Sequence, residues 1–206
     1  MSQFEDPKGT WNKRFSADGF LFGLEPNRLL REHAEVWKAG DRVLAVADGE
    51  GRNSVWLASR GVRVDAFDIS EVGVAKARAL AAKQGVDVDF AVADIADLAW
   101  PENVYDGVAA IFFQFADPAL RARIFEGMAR CLKPGGTLVL QGYTPRQLDY
   151  RTGGPPIMSH LYTPRLLREA FAGMEIVELR EYEDELAEGT GHKGRSGLIG
   201  LVARKR

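Results

Sequence analysis

Short apolar runs alternate with amphipathic stretches along this chain, and that alternation is its main architectural signal. Arg42–Ala47 is almost continuously apolar, the pattern of a parallel strand buried on both faces. Val62–Phe67, Asp106–Phe113 and Thr137–Gln141 read as further strands, and Val86–Val92 alternates as another. Between them the spacing predicts helices over 53–60, 70–84 and 118–132, with Ser70 as an N-cap and Gly85 as a stop. Leu29, Leu30, Ala34 and Trp37 share one face of a helix predicted over 26–38, with Pro26 in its first turn. Another helix is predicted over Pro164–Phe171. Lys133-Pro-Gly-Gly136 reads as a turn. The last two apolar runs, Glu175–Glu183 and Ser196–Arg204, have only a glycine-rich loop between them, so they form an antiparallel hairpin at one sheet edge. The whole pattern predicts an α/β fold, with a mostly parallel, doubly wound sheet of seven strands closed by that hairpin. Residues 1–24, rich in aromatics and glycine, read as an irregular arm with one short helix.

Composition narrows the picture by exclusion. The 206 residues are 46% hydrophobic and 27% charged, which suits one globular domain spanning 1–206. The net charge of −2 gives no basic footprint for nucleic acid. Cys131 is the sole cysteine, so neither an intrachain disulfide nor a cysteine metal cluster is expected, and its apolar helical setting reads as a buried thiol. No His, Cys and Asp grouping has metal-ligand spacing. Met1–Pro7 lacks a secretory pattern, and no apolar run approaches the ~20 residues of a membrane span. A cytoplasmic protein, monomeric or weakly dimeric, is the expectation.

Candidate chemistry lies at the carboxyl ends of the first three strands, where doubly wound sheets bind ligands. Ala47-Asp-Gly-Glu-Gly51 follows the first strand, and its glycines permit close backbone approach and positive φ. Asn53 is a candidate cap for the next helix. Asp68 ends the second strand, where a carboxylate can accept both hydroxyls of a ribose, and Ile69 can press on an adenine face. Asp94 and Ile95 follow the third strand, with Asp94 able to accept an adenine amino hydrogen. Each acid alone reads equally as a strand-end or capping residue. A dinucleotide fingerprint would need a glycine where Ser54 stands, which counts against a nicotinamide cofactor.

The ordered set of motifs resembles known families across nearly the whole chain. Gly49-Glu-Gly-Arg-Asn53 is similar to the first motif of tellurite-resistance methyltransferases. Phe67-Asp-Ile-Ser-Glu-Val-Gly73 is similar to the second motif they share with thiopurine methyltransferase-like proteins. Trp11-Asn-Lys-Arg-Phe15 with Phe22 resembles the aromatic arm of the thiopurine group, and Leu132-Lys-Pro-Gly-Gly136 is common in class I methyltransferases. The resemblance implies a Rossmann-like three-layer sandwich that binds S-adenosylmethionine (SAM) and methylates a small-molecule nucleophile. It places Gly49 and Gly51 near the methionine and ribose, Asp68 on the ribose, Ile69 on the adenine, Asp94 and Ile95 at the adenine end, and Trp11, Phe15 and Phe22 as a wall. Two departures stand out: Ala45 lacks a common first-strand acid, and Ala47 replaces the first glycine. Asp48 is expected to restore the missing negative charge.

The acceptor pocket is expected from Phe113, Gln114, Phe115, Tyr143 and Tyr150–Pro155. His192, between glycines in the late hairpin, reads either as a general base on the acceptor side or as a solvated turn residue. A non-catalytic SAM-binding protein of the same fold is the alternative raised by Ala45 and Ala47.

Overall fold

The computed structural model describes residues 5–206, so Met1–Phe4 of the arm lie outside the described residues. Seven strands form one sheet in the order β3-β2-β1-β4-β5-β7-β6. They are β1 (Arg42–Val46), β2 (Arg63–Asp68), β3 (Asp89–Val92), β4 (Tyr105–Ile111), β5 (Leu132–Tyr143), β6 (Met174–Glu188) and β7 (His192–Lys205). β1 pairs in parallel with β2 and β4, β3 with β2, and β5 with β4, while β7 runs antiparallel to both β5 and β6. The chain winds one way from β1 to β3 and the other way from β4 onward, so β1 lies at the switch point. Val43–Val46 are buried, as their apolar run implies. The helices are α1 (Pro7–Phe15), α2 (Arg28–Glu32), α3 (Arg52–Ser59), α4 (Glu71–Gln84), α5 (Pro118–Cys131), α6 (Gln147–Tyr150) and α7 (Pro164–Ala170). Separate apolar clusters on the two faces of the sheet carry the packing; Cys131 sits in one of them, fully buried, with its thiol pushed up to about 12 by burial. Among the described residues, no helix is long and apolar enough to cross a membrane.

Several boundaries differ from the sequence reading, each for a local reason. The helix expected over 26–38 is α2 followed by a 3-10 turn, Ala34–Val36. Asn27, not a residue before Pro26, caps it by accepting from the Leu30 N–H at 3.2 Å. β1 stops at Val46 because Ala47 turns into the left-handed region at φ 48°, and β4 stops before Phe112 at φ 55°. Lys133-Pro-Gly-Gly136 is an irregular opening of β5 rather than a free turn, with a register shift against β4 and Gly135 at φ 79°. The late hairpin is longer than expected. Pairing continues to Glu188 opposite His192, leaving only Gly189-Thr-Gly191 to turn.

That hairpin tip is docked. The Thr190 and Gly191 N–H groups both donate to the Leu21 carbonyl at 2.9 Å. A side chain at Gly189 would meet that carbonyl at 2.4 Å, so only glycine fits. The arm is fixed at its other end too: Asn12 Oδ1 accepts from Ser70 Oγ at 2.7 Å, at the N-terminus of α4. Between these points Glu50, 4% exposed, accepts from the Leu21 N–H and pairs with Lys76, whose ammonium also donates to the Ala17 and Gly19 carbonyls.

An alanine at φ 48° is strained where glycine is not. Ala47→Gly is therefore expected to raise unfolding stability by about 0.5–1 kcal/mol, the relief of strain exceeding the entropy glycine loses on folding. Urea denaturation of the two forms measures it.

Candidate active site

The carboxyl ends of β1, β2 and β4 open into a cavity of about 660 Å3, roofed by the aromatic arm and by the tip of the β6–β7 hairpin. Its walls include Trp11, Phe15, Phe22, Ala47, Asp48, Gly49, Asn53, Asp68, Ile69, Asp94, Ile95 and His192, a set drawn together from the whole length of the chain. Gly51 is the one cofactor candidate that does not line it. A Cβ there would fall 2.7 Å from the Ala77 Cβ, so its φ of 87° and bare face serve the packing of α3 on α4.

The arm closes on the turn after β1. Phe15 is 2% exposed, and a Cβ on Gly49 or Gly73 would meet its ring at 3.2 or 3.0 Å. Trp11 stacks on Phe15 at 5.3 Å, and Phe22 stands edge-on to Phe15 at 6.2 Å. Asp68 Oδ2 accepts from the Gly49 N–H at 2.9 Å and its Oδ1 from the Ser70 N–H at 2.8 Å, tying the two strand-end turns together. Each oxygen retains a lone pair for a ligand hydroxyl. Asp94 Oδ1 accepts from the Ala96 N–H at 2.8 Å, while Ile95 is buried and Ile69 half-buried against the cavity. Asn53 does not cap α3 with its side chain. The N-cap is Gly51, and Asn53 Oδ1 instead accepts from the Asn27 N–H at 2.9 Å.

Asp48 carries the electrostatics of the turn. It accepts from Ser54 Oγ at 2.5 Å, so the residue standing where a dinucleotide fingerprint needs glycine is its hydrogen-bond donor. Burial and the neighbouring Asp68 charge push Asp48 up to about 7 against the pull of that bond. Burial likewise lifts Asp68 to about 6, in spite of its two backbone donors. Among the described residues neither carboxylate has an ion-pair partner. Two desolvated carboxylates with apolar walls on either side suit a ligand that is cationic at one end and a flat ring at the other. SAM, with its ammonium, sulfonium and adenine, fits that donor set. Asp48 and Asp68 could face its charged and ribose portions, and Ile69 and Ile95 its ring.

Around His192, Glu188 and Arg52 are charge-paired. His192 is 7% exposed rather than a solvated turn residue, packed 4.3 Å from Phe22 and 4.5 Å from Phe112. Its Nδ1 lies 3.2 Å from Glu188 Oε2. Glu188 also accepts from Arg52 at 2.7 Å and from Asn27 Nδ2 at 3.1 Å. Burial pushes Glu188 up, but the His192 bond and the Arg52 charge outweigh it and hold the carboxyl at about 2. Burial lowers His192, offsetting the pull of Glu188, so the imidazole is neutral near pH 7. With Nδ1–H donated to the carboxylate, Nε2 carries the free lone pair. Of the expected acceptor residues, Phe113, Gln114, Phe115, Tyr143, Gly153, Gly154 and Pro155 line the cavity, but Tyr150, Arg151 and Thr152 do not. Glu188, Arg52 and the left-handed Phe112 were missed. Glu188 stands four residues before His192, yet nothing in the spacing marks it as its partner.

Known proteins agree with this reading of the fold. Residues 43–136 match the methyltransferase domain family. The ubiquinone biosynthesis O-methyltransferase of Xanthomonas axonopodis pv. citri is 36% identical over 133 residues, covering 63% of this chain and 55% of that protein. The demethylmenaquinone methyltransferase of Paenarthrobacter aurescens is 31% identical over 131 residues, covering 64% and 47%. The chain thus spans about half the length of the curated relatives it matches. Among solved structures, TehB from Haemophilus influenzae superposes with a TM-score of 0.72 at 20% identity, over 97% of this chain and 67% of that one. The N-methyltransferase NodS of Bradyrhizobium japonicum, in complex with S-adenosylhomocysteine, gives 0.70 at 16% identity over 96% and 97%.

The raised Asp48 carboxyl makes two outcomes testable. A cationic ligand prefers the ionised form, so calorimetry should find SAM binding tighter at pH 8 than at pH 6, and Asp48→Asn should weaken it by about 1–3 kcal/mol while flattening that dependence. A carboxyl raised in the folded state contributes stability at low pH that is lost as pH rises through about 7. Without ligand, Asp48→Asn should therefore melt above wild type at pH 8, the difference narrowing toward pH 4. Residues 43–136 match the methyltransferase domain family, and the chain has the fold of class I SAM-dependent methyltransferases.

Proposed function

We propose that the chain, as a single domain over 1–206, transfers a methyl group from SAM to a small-molecule nucleophile, with His192 as general base. The observation that carries this is the pairing of Glu188 with His192, whose buried imidazole lines the cavity. Bound SAM supplies an electrophilic methyl carbon. Glu188 holds the tautomer in which His192 Nε2 is free to take the acceptor's proton, and Arg52 keeps Glu188 ionised. Trp11, Phe15 and Phe22 exclude water from the cofactor side, and Phe112 and Tyr143 wall the acceptor side. Alignment of donor and acceptor in such a dry cavity can provide much of the acceleration. The relatives named as a ubiquinone biosynthesis O-methyltransferase and a demethylmenaquinone methyltransferase support an acceptor of small-molecule size.

The alternative, a SAM-binding protein without turnover, separates cleanly by experiment. Methyl transfer is assayed against thiols, selenols, tellurite, phenols and small amines; SAM binding with no turnover of any would favour the alternative. Given turnover, His192→Gln should lower kcat for a hydroxyl acceptor by about 10²–10⁴-fold, while leaving S-adenosylhomocysteine affinity within about twofold. A thiol acceptor, ionised more readily, should lose less. Activity should also fall on the acid side as His192 gains its proton, at a pH below the usual imidazole value of 6.5.

A further inference from the structure

The cavity wall carries two arginines, and they stand in opposite electrostatic states. Arg52 is bound to Glu188 at 2.7 Å. Arg14, in the last turn of α1, makes no ion pair and no side-chain hydrogen bond among the described residues. Its contacts are aromatic. The guanidinium lies 4.4 Å from the ring centroid of Trp11 and 5.9 Å from that of Phe22, two other residues of the wall. Such contacts hold the group in place without neutralising it. Burial lowers Arg14 from its usual value, and no carboxylate offsets that pull. A partly desolvated guanidinium with its donors unused is unfavourable until an anion meets it.

This charge is within reach of a ligand, and it stands toward the acceptor end. Arg14 is exposed as well as part of the wall, so it sits where the cavity opens to solvent. Its neighbour Phe22 packs 4.3 Å from His192, and the Arg14 charge helps to keep that imidazole neutral. At the other end, the charges that act on Asp48 come from Asp68 and Arg52, and Glu50 acts on Asp68. Glu5 shares the wall but does not pair with Arg14.

We propose that Arg14 binds a carboxylate of the methyl acceptor, which is therefore a small molecule carrying both a nucleophile and a negative charge. The inference rests on the methyl-transfer reading and adds the acceptor's charge to it. His192 Nε2 takes the proton of the nucleophilic group, while the guanidinium fork takes the carboxylate with parallel N–H donors. Two points of attachment fix the acceptor's orientation, which one alone leaves free to turn. The same positive charge repels a cationic acceptor such as a protonated amine.

The test uses 4-hydroxyphenylacetate and its neutral isostere 4-hydroxyphenylacetamide as probes, each titrated calorimetrically into the protein saturated with S-adenosylhomocysteine. Wild type should bind the carboxylate about tenfold more tightly than the amide, the worth of one hydrogen bond to a charged group. Arg14→Met, which keeps an apolar stem beside Trp11, should lose that preference while holding amide and S-adenosylhomocysteine affinities within about twofold of wild type. Equal affinity of the wild type for the two probes, binding of neither, or a preference that survives in Arg14→Met would each overturn the proposal. So would a larger loss of S-adenosylhomocysteine affinity, which would assign the guanidinium to the methionine carboxylate instead. The methyl-transfer reading is judged separately, by the turnover panel.

Discussion

The Glu188 carboxylate is the interaction on which the rest of the site depends. It receives Arg52 from α3, Asn27 from the residue capping α2, and His192 from across its own hairpin. Arg52 in turn donates to the Phe22 carbonyl of the arm and to the Glu25 carbonyl just after it. One half-buried carboxylate, 13% exposed, therefore fixes the arm, the first turn of α3 and the hairpin tip to each other. Removing one partner of such a pair leaves a bare charge in a dry interior, a loss of about 3–5 kcal/mol, so the arrangement is held as a unit rather than as separate contacts.

The two ends of the cavity have opposite electrostatic characters. Glu188 is paired with both Arg52 and His192, which holds geometry and protonation state constant. Around Asp48 and Asp68 the charges repel, and their hydrogen bonds come from Ser54 and from backbone N–H groups. The first arrangement suits a base whose tautomer must not change. The second suits a compartment whose missing positive charge comes from a ligand. The aromatic arm serves both ends, with Phe15 against Gly49 and Phe22 against His192.

Much of this was readable in the sequence because strand periodicity and strand-end chemistry are local. Buried runs such as Val43–Val46 announce central strands, and Asp68 and Asp94 declare themselves by standing at or just after the carboxyl ends of strands. Long-range pairing leaves no such trace. Arg52 and Glu188 are 136 residues apart, and only the docking of the Gly189–Gly191 turn onto Leu21 brings them together. The extra length of the hairpin escaped because its polar, glycine-containing tip imitates a loop. Pro26 misled because Asn27, bonded to Asn53, had already claimed the cap. Gly51 misled in the opposite sense: a glycine in a cofactor-like turn is bare here for the sake of Ala77.

The position of β7 has a consequence for how the molecule comes into being. This strand, the last described, is an interior one, wedged between β5 and β6, and its first residue is His192. During synthesis, β1 to β5 can pair as they emerge, but the outer edge of β5 stays open until residues 192–205 have left the ribosome. The hairpin tip cannot dock on the arm before then, and Glu188 and His192 cannot meet. The cavity therefore does not mature gradually along the chain. It is finished in one event, which joins the arm, made before β1, to a strand made after β6.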